Sequence, residues 1–176
     1  MKKNKKISAL VVAHNEEKKL ASCLKKLSYA DELIVVLDRT TDKSKEIAIK
    51  NGAKVYEGSW EIEANRRNFG LKKCSYSWIL EVDADEHIPQ ELFTEARKEI
   101  ENAKPGYFLI PFDNFIGLKK IRYGWGASWG VSAAPRLSYK GCKEWLPGQR
   151  IHPSIKLSGE KKWLKSRIIH YVDDNI

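Results

Sequence analysis

The sequence has few cysteines and no long apolar run, and each absence excludes a class of protein. Its three cysteines, Cys23, Cys74 and Cys142, are far apart and form no Cys-x-x-Cys pair, which argues against a disulfide framework and a zinc site. We expect free thiols in a reducing cytoplasm. No apolar stretch reaches the roughly 18 residues of a membrane-spanning helix, and no signal-peptide core follows the basic start. The sequence therefore predicts a soluble, cytoplasmic protein.

The chain also lacks the glycine-rich loops that bind phosphates in dehydrogenases and P-loop enzymes. The loop after the first apolar run reads Ala13-His14-Asn15-Glu16-Glu17. Its two glutamates would repel a pyrophosphate that approached this turn directly. Phosphate groups are therefore expected to bind elsewhere, through a cation.

A net charge of +9 over 176 residues raises the question of nucleic-acid binding. The lysines are spread over predicted helices and loops and form no dense arm, so we expect no nucleic-acid partner. The densest basic cluster, at residues 1–6, is interpreted as a solvated lead-in to the first strand, with attraction to anionic lipid as the alternative. Hydrophobic content of 42% at this length indicates one folded domain.

Short apolar runs alternate with helical patterns in the first 103 residues, which predicts a mainly parallel sheet with helices on both faces. The predicted strands are 7–13, 32–37, 53–56 and 77–82. Four helices are predicted. The first begins after Asn15 as its N-cap, the second ends near Lys50, the third covers 61–73, and the fourth covers about 89–102. After residue 104, the sequence becomes rich in aromatic residues. This composition predicts an antiparallel extension of the same domain, with strands at 107–115, 123–130 and 133–139.

An acidic cluster, Asp83-Ala84-Asp85-Glu86, directly follows the fourth predicted strand. Side chains two apart on a strand point the same way, so Asp83 and Asp85 could present two carboxylates to one divalent cation. Ligands bind beyond the carboxyl ends of such strands. We expect the polar residues after the first, second and fourth strands to meet in one crevice. The alternative is a polar turn after a strand.

Other candidates each have a structural alternative. Asn15 is either a helix cap or a residue near a nucleotide. Asp38 could contact a base or ribose, and Asp42 more simply caps the next helix. One arginine of the pair Arg66-Arg67 could neutralise phosphate, or both could form a solvated face.

In the second half, the candidates are two histidines and two tryptophans. His152 and His170 are either site residues or hydrogen-bonded structural residues. Trp125 and Trp129 lie in a glycine-rich stretch and either plug the core or stack on the apolar face of a sugar.

These motifs, in this order and spacing, resemble glycosyltransferase family 2 with the GT-A fold, and within it the small transferases of lipopolysaccharide-core and surface-glycan assembly. The resemblance covers nearly the whole chain. The residues that carry it are Ala13 to Glu17, Asp38 to Asp42, Arg67-Asn68, Val82 to Glu86, Asn114 to Gly117, Tyr123 to Trp125, Arg136-Leu137, Ile151-His152 and Ile169-His170.

The resemblance implies a nucleotide-sugar donor, commonly UDP-linked, and a Mn²⁺ or Mg²⁺ ion that bridges Asp85 to the diphosphate. It implies that Asp83 is a ribose or metal contact, that Asp38 recognises the base or ribose, and that Arg67 lies near the phosphates. The nucleotide-sugar site would also include Ala13, Asn15 and Glu16. A cation there would neutralise the charge that develops on the departing diphosphate.

The chain departs from the family pattern at three places. Leu37 stands where relatives often carry an aspartate, Pro153 stands where they usually carry a glutamate, and relatives continue past His170 into a C-terminal helical segment often associated with acceptor or membrane contact. An inverting transferase needs a base for the acceptor hydroxyl. The candidates are Glu144 and His152, with Trp125 and Trp129 as acceptor residues.

We therefore expect a single GT-A domain over residues 1–176, with a nucleotide-sugar half at 1–103 and an acceptor-side half at 104–176. It would be a metal-dependent transferase acting on a glycan or lipid-linked acceptor, with peripheral contact at the inner membrane face. The alternative is a non-catalytic nucleotide-sugar-binding protein. A nucleotidyltransferase is disfavoured because the first loop is acidic where that class carries a glycine-rich, basic loop.

Overall fold

The computed structural model describes residues 6–117, 119–121, 132–148 and 153–173. The strands are β1 (Ile7–Ala13), β2 (Glu32–Asp38), β3 (Lys54–Gly58), β4 (Trp78–Val82), β5 (Glu86–His87), β6 (Gly106–Ile116), β7 (Lys119–Lys120), β8 (Ala133–Tyr139), β9 (Lys143–Trp145), β10 (Ile155–Leu157), β11 (Glu160–Trp163) and β12 (Ile168–Asp173). The helices are α1 (Glu17–Lys26), α2 (Ser44–Lys50), α3 (Glu63–Lys73) and α4 (Gln90–Ile100).

The first half contains the predicted parallel sheet, in the order β3-β2-β1-β4. Its central strands are apolar on both faces because helices cover both. On one face, Ala9 and Val11 of β1 belong to the same core as Leu20 of α1. On the other, Leu10 belongs to a second core with Ala64 of α3. The prediction of a Rossmann-like sheet flanked by helices is confirmed.

The second half extends this sheet without a break. Strand β8 pairs antiparallel with β4, so that Leu80 lies opposite Leu137, and also antiparallel with β6. The expected antiparallel extension is therefore present. Strand β6 also pairs in parallel with β11 and β12, which the sequence analysis did not predict. The predicted strand at 123–130 lies outside the described residues.

The far edge of this sheet returns the chain to the acidic loop after β4. Strand β5 pairs with β12, so that His170 lies opposite Glu86, and β12 pairs with the distal part of β6. Residues distant in sequence thereby meet at the carboxyl ends of β1 and β4. Within the described ranges, no helix is long and apolar enough to cross a membrane.

Candidate active site

A cavity of about 450 Å³ opens at the carboxyl ends of β1 and β4. The loops after these strands line it together with residues from α3, β6, β8 and β12. The sequence analysis expected a crevice here, and the polar residues after β1 and β4 do line it, but those after β2 do not. The charged residues of its lining are Glu16, Arg66, Arg67, Asp83, Asp85, Glu86 and Arg136, and the lining also includes Ala13, His14 and His170.

The first aspartate of the acidic loop is paired with two arginines. Arg67 Nη1 lies 3.2 Å from Asp83 Oδ1, and Arg136 Nη2 lies 2.5 Å from Asp83 Oδ2. Burial alone would raise the pKa of Asp83, but Arg136 and Arg67 outweigh it and hold that pKa well below its usual range. Asp83 is therefore an anion that anchors two cations.

Glu86 completes this buried network. Its Oε1 pairs with Arg136, and its Oε2 accepts a hydrogen bond of 3.0 Å from the Asp83 backbone N–H. Burial and the nearby charge of Asp83 raise the pKa of Glu86 to about 7, although Arg136 opposes the shift. Glu86 is 2% exposed, and its contacts with Arg136 and the Asp83 backbone stabilise the acidic loop.

The second aspartate faces a histidine instead of an arginine. Asp85 Oδ2 lies 3.5 Å from His170 Nε2, and the Asp85 side chain is 34% exposed. His170 Nδ1 lies 2.9 Å from Asn114 Oδ1. When Nδ1 donates to Asn114, Nε2 either carries a proton that it donates to Asp85 or, without that proton, is free to bind a metal ion. The hydrogen bond to Asp85 raises the pKa of His170. Asp85 and His170 thus present a carboxylate oxygen and an imidazole nitrogen to the same space.

Asn15 does not act as the N-cap of α1. The cap position is Glu16, with no side-chain cap bond, and Asn15 has a φ of 52°, a left-handed conformation that asparagine tolerates better than most residues. Its Oδ1 accepts hydrogen bonds from the Thr41 and Asp42 backbone N–H groups, at 2.8 and 3.3 Å. Asn15 therefore ties the loop after β1 to the loop after β2.

Asp42 joins the N-termini of two helices. Its Oδ1 accepts from the Ser44 N–H at 2.9 Å, at the start of α2, and its Oδ2 accepts from the Glu17 N–H at 2.9 Å, at the start of α1. Carboxylates are favourable at helix N-termini. The helix-capping alternative for Asp42 is therefore the one the geometry supports.

The predicted base or ribose contact at Asp38 finds no support in the geometry. Asp38 is 1% exposed, and its two oxygens accept hydrogen bonds from Arg39, Arg66 and the Trp60 backbone. Burial would raise the pKa of Asp38, but these hydrogen bonds lower it below its usual value. In this arrangement Asp38 positions Arg66, which does line the cavity.

Arg67 is held at the cavity wall from three directions. Besides Asp83, it bonds Glu63 Oε1 at 2.7 Å, and its guanidinium lies 4.7 Å from the centre of a Trp145 ring. Asn68 fixes that tryptophan, since it bonds the Trp145 backbone N–H and C=O at 3.0 and 2.7 Å. Helix α3 and strand β9 therefore hold Arg67 in place together.

Of the two predicted bases and two acceptor residues, only Glu144 is described. Glu144 is exposed and lines a different cavity, of about 390 Å³, between α3 and β8. It does not face Asp83 or Asp85, so its position does not support a role as the base. His152, Trp125 and Trp129 lie outside the described residues, and their roles remain predictions.

The sequence profile of one family, described as Glycosyl transferase family 2, matches residues 8–151. That span runs from β1 through β9 and includes every cavity residue except His170. The chain belongs to glycosyltransferase family 2.

Curated relatives of this family 2 chain agree with the profile. An uncharacterised glycosyltransferase of Rickettsia typhi is 37% identical over 92 residues, which is 52% of this chain and 32% of the relative. The lipopolysaccharide core biosynthesis glycosyltransferase LpsC of Rhizobium meliloti is 30% identical over 92 residues, which is 49% of this chain and 34% of LpsC. The chain thus spans about a third of the length of these relatives.

Among solved structures, Staphylococcus aureus TarS in complex with UDP-GlcNAc superposes with a TM-score of 0.73 at 18% identity, over 97% of this chain and 59% of TarS. At that identity the likeness establishes the fold. The GT-A fold expected of a family 2 chain is therefore confirmed.

A divalent cation fits this site only if the protein and a bound ligand together supply its coordinating atoms. Among the described residues, no group of three or more His, Cys, Asp or Glu side chains is arranged to hold a metal ion. Asp85 and His170 supply two ligands, and an ion that takes six needs oxygens from elsewhere. Phosphate oxygens in the cavity would meet that need.

The sequence analysis assigned no role to two residues that are important at this site, Arg136 and Glu86. Arg136 is quoted above only as part of a resemblance, and Glu86 only as part of the acidic cluster. Their role depends on the pairing of β4 with β8, which brings Arg136 to the acidic loop. The surroundings of Arg136, an isolated cation in the apolar strand Ala133–Tyr139, were a weak signal.

Proposed function

We propose that this chain binds a nucleotide-sugar donor, most simply UDP-linked, in the cavity at Asp83 and Asp85, and transfers the sugar to a glycan or lipid-linked acceptor. Family membership and the UDP-GlcNAc bound by TarS support the class of donor. The observation that carries the proposal is that Asp85 and His170 line one cavity together with Arg66, Arg67 and Arg136.

The charge of the cavity explains how a metal ion would help a diphosphate to bind. Its lining contains three arginines and four carboxylates, so its formal charge is negative when both histidines are neutral. A cation bound together with a diphosphate would offset this charge and so strengthen the binding of the diphosphate. A divalent ion, Mn²⁺ or Mg²⁺, held by Asp85 and His170 would reverse that sign and would stabilise the leaving nucleoside diphosphate.

The chain's own residues would then orient the donor. Arg66 and Arg67 line the cavity wall and would face the phosphates, and Asp38 holds Arg66 in place. Asn15 ties the loop after β1, which lines the cavity, to the loop after β2. The acceptor residues and the base that takes the acceptor proton remain the predicted ones, with His152 as the remaining candidate base and Trp125 and Trp129 as the acceptor platform.

The first test is calorimetric titration of UDP and GDP, with and without Mn²⁺, into the wild type, Asp85→Asn and Asp31→Asn. Asp31 is the matched control because it pairs with Arg97 at 2.8 Å at the opposite end of β1. We expect one nucleotide to bind with Mn²⁺, Asp85→Asn to lose at least about tenfold in affinity, and Asp31→Asn to match the wild type. Equal affinity in the wild type and Asp85→Asn would refute the metal assignment.

A binding protein without catalysis is the second candidate, because Glu144 lies away from the cavity. Release of free UDP from UDP-sugars in the presence of Mn²⁺ separates the two. Slow hydrolysis that Asp85→Asn abolishes would support the transferase. Tight UDP-sugar binding with no release over many hours would support the binding protein.

A further inference from the structure

Asp83 has both carboxylate oxygens engaged by guanidinium groups from different parts of the fold. Arg67 of α3 binds Oδ1 and Arg136 of β8 binds Oδ2, at 3.2 and 2.5 Å. Both arginines line the cavity, and their side chains are only 14% and 11% exposed. The shared carboxylate keeps two cations side by side that would otherwise repel each other.

Each arginine is also fixed by a second carboxylate and an aromatic ring. Glu63 and the ring of Trp145 hold Arg67. Glu86 holds Arg136, whose guanidinium lies 5.7 Å from the centre of the Phe112 ring. Side chains held in this way lose little further freedom when a ligand binds, so the pair is preorganised.

The two guanidinium groups keep unused hydrogen-bond donors. A guanidinium has five N–H groups. Arg67 uses Nε and Nη1, and Arg136 uses Nη2 for both of its carboxylates. The Nε of Arg136 is buried and has no hydrogen-bond partner in the part of the chain that the structure describes. The Nη2 of Arg67 and the Nη1 of Arg136 donate no hydrogen bond to another described residue, so these groups remain for an anionic oxygen in the cavity.

We propose that Arg67 and Arg136 form a two-guanidinium clamp for the diphosphate, and that Asp83 positions this clamp instead of binding the metal ion. The proposal rests on the proposed function, because the diphosphate is taken to be that of the nucleotide-sugar donor. Arg136 is then a binding residue, and Asp83 is a positioning residue that acts through both arginines. The metal is left to Asp85 and His170, which line the same cavity.

The clamp is tested with inorganic pyrophosphate in the presence of EDTA, so that neither a nucleotide base nor a metal contributes. Calorimetry would compare the wild type with Arg136→Lys and Arg67→Gln, and with Arg97→Gln as the control at the opposite end of β1. Lysine at position 136 keeps the charge that Asp83 and Glu86 require, but it lacks the planar fork that reaches a second anion. We expect both clamp variants to bind pyrophosphate about tenfold more weakly and Arg97→Gln to match the wild type.

The role of Asp83 is tested by the Mn²⁺ concentration that gives half-maximal UDP binding. We expect Asp83→Asn to leave this concentration within about twofold of the wild-type value and Asp85→Asn to raise it about tenfold or more. An equal rise in both variants would make Asp83 a metal ligand and overturn its positioning role. Circular dichroism and the thermal midpoint would show that each variant is folded.

Failure of the clamp and failure of the proposed function give different results. A wild type that binds pyrophosphate but no nucleotide refutes the proposed donor while the clamp stands. A wild type that binds UDP with Mn²⁺, together with an Arg136→Lys variant that binds pyrophosphate equally well, refutes the clamp alone. Absence of pyrophosphate binding to the wild type also refutes it.

Discussion

At the scale of single residues, the sequence located polar side chains better than it predicted their partners. Asp83, Asp85, Arg67, Ala13 and Glu16 all line the cavity, as the order of strands and loops implied. Both carboxylate oxygens of Asp83, however, are paired with arginines. Asn15, predicted as a helix cap, instead connects two loops. A side chain's neighbours in space depend on strand pairing, which a local pattern does not reveal.

Glu32 shows at the same scale how a buried carboxylate stabilises the fold at the amino end of the sheet. Its oxygens accept hydrogen bonds from Ser8, Ser75 and Lys54, at distances between 2.6 and 2.9 Å. Burial would raise the pKa of Glu32, but these hydrogen bonds outweigh it and lower the pKa to about 2. Because this pKa is lower in the folded state, the stabilisation is complete above pH 4.5 and is lost as the pH falls toward 2.

We therefore expect Glu32→Gln to lower the free energy of unfolding by about 2 kcal/mol at pH 7. The difference from the wild type should shrink as the pH falls from 5 to 3, because Glu32 of the unfolded wild type then becomes protonated while the folded state stays ionised. Urea denaturation at pH 7, 5 and 3 measures this. Glu57→Gln is the control, since its pair with Lys45 at 2.5 Å is half exposed and should contribute little. A pH-independent difference for Glu32→Gln would contradict the assignment.

At the scale of elements, long apolar runs were predicted well and short polar strands were not. Strands β1, β2 and β4 are almost wholly buried, so their composition alone identifies them. Strand β11 reads Glu-Lys-Lys-Trp and is mostly exposed. It forms because its backbone pairs with β6, not because of an intrinsic preference. Such tertiary pairing is invisible to a pattern of hydrophobicity.

The parallel pairing of β6 with β11 depends on the absence of a side chain at Gly106. A Cβ placed there would lie 2.1 Å from the Glu160 carbonyl oxygen and 2.4 Å from the Glu160 nitrogen. Since both are backbone atoms, β11 would have to move. We expect Gly106→Ala to lower the free energy of unfolding by about 2 kcal/mol or more, as measured by chemical denaturation.

The control for this prediction is Gly148→Ala, because a Cβ at Gly148 would meet no atom within 4 Å. That variant should remain within about 0.5 kcal/mol of the wild type. Hydrogen exchange in β11 should accelerate in Gly106→Ala and stay unchanged in Gly148→Ala. Equal stability of the two variants would show that β11 can move away from Gly106 without lowering the free energy of unfolding.

At the scale of the whole molecule, the two halves share one sheet and one site. Trp78 of β4 packs against Phe108 and Tyr139 from the second half, with ring centres 5.5 and 5.4 Å apart. Arg136 and His170 also come from that half. The expectation of a single domain over 1–176 remains a prediction, and these contacts support it.

A fragment of residues 1–103 should therefore neither fold cooperatively nor bind pyrophosphate. Without β8, strand β4 would expose Trp78 and an unpaired edge, and the clamp would lack Arg136. Urea unfolding of the fragment, followed by circular dichroism, should lack a sharp transition, and adding 104–176 should restore it. A fragment that unfolds cooperatively and binds pyrophosphate as the whole chain does would show that the halves are separate domains.

The sequence by itself determined the parallel half, the acidic loop after β4 and the family, because buried strands and ordered motifs are local in the chain. Only the tertiary structure decided which residues contact one another in the site. It brings Arg136 from β8 and His170 from β12 to the loop at Asp83 and Asp85, and it places Glu144 in another cavity. Strand pairing across more than 50 residues makes these contacts, and the free energy that favours one pairing over another is spread over the whole core rather than stored in any short segment.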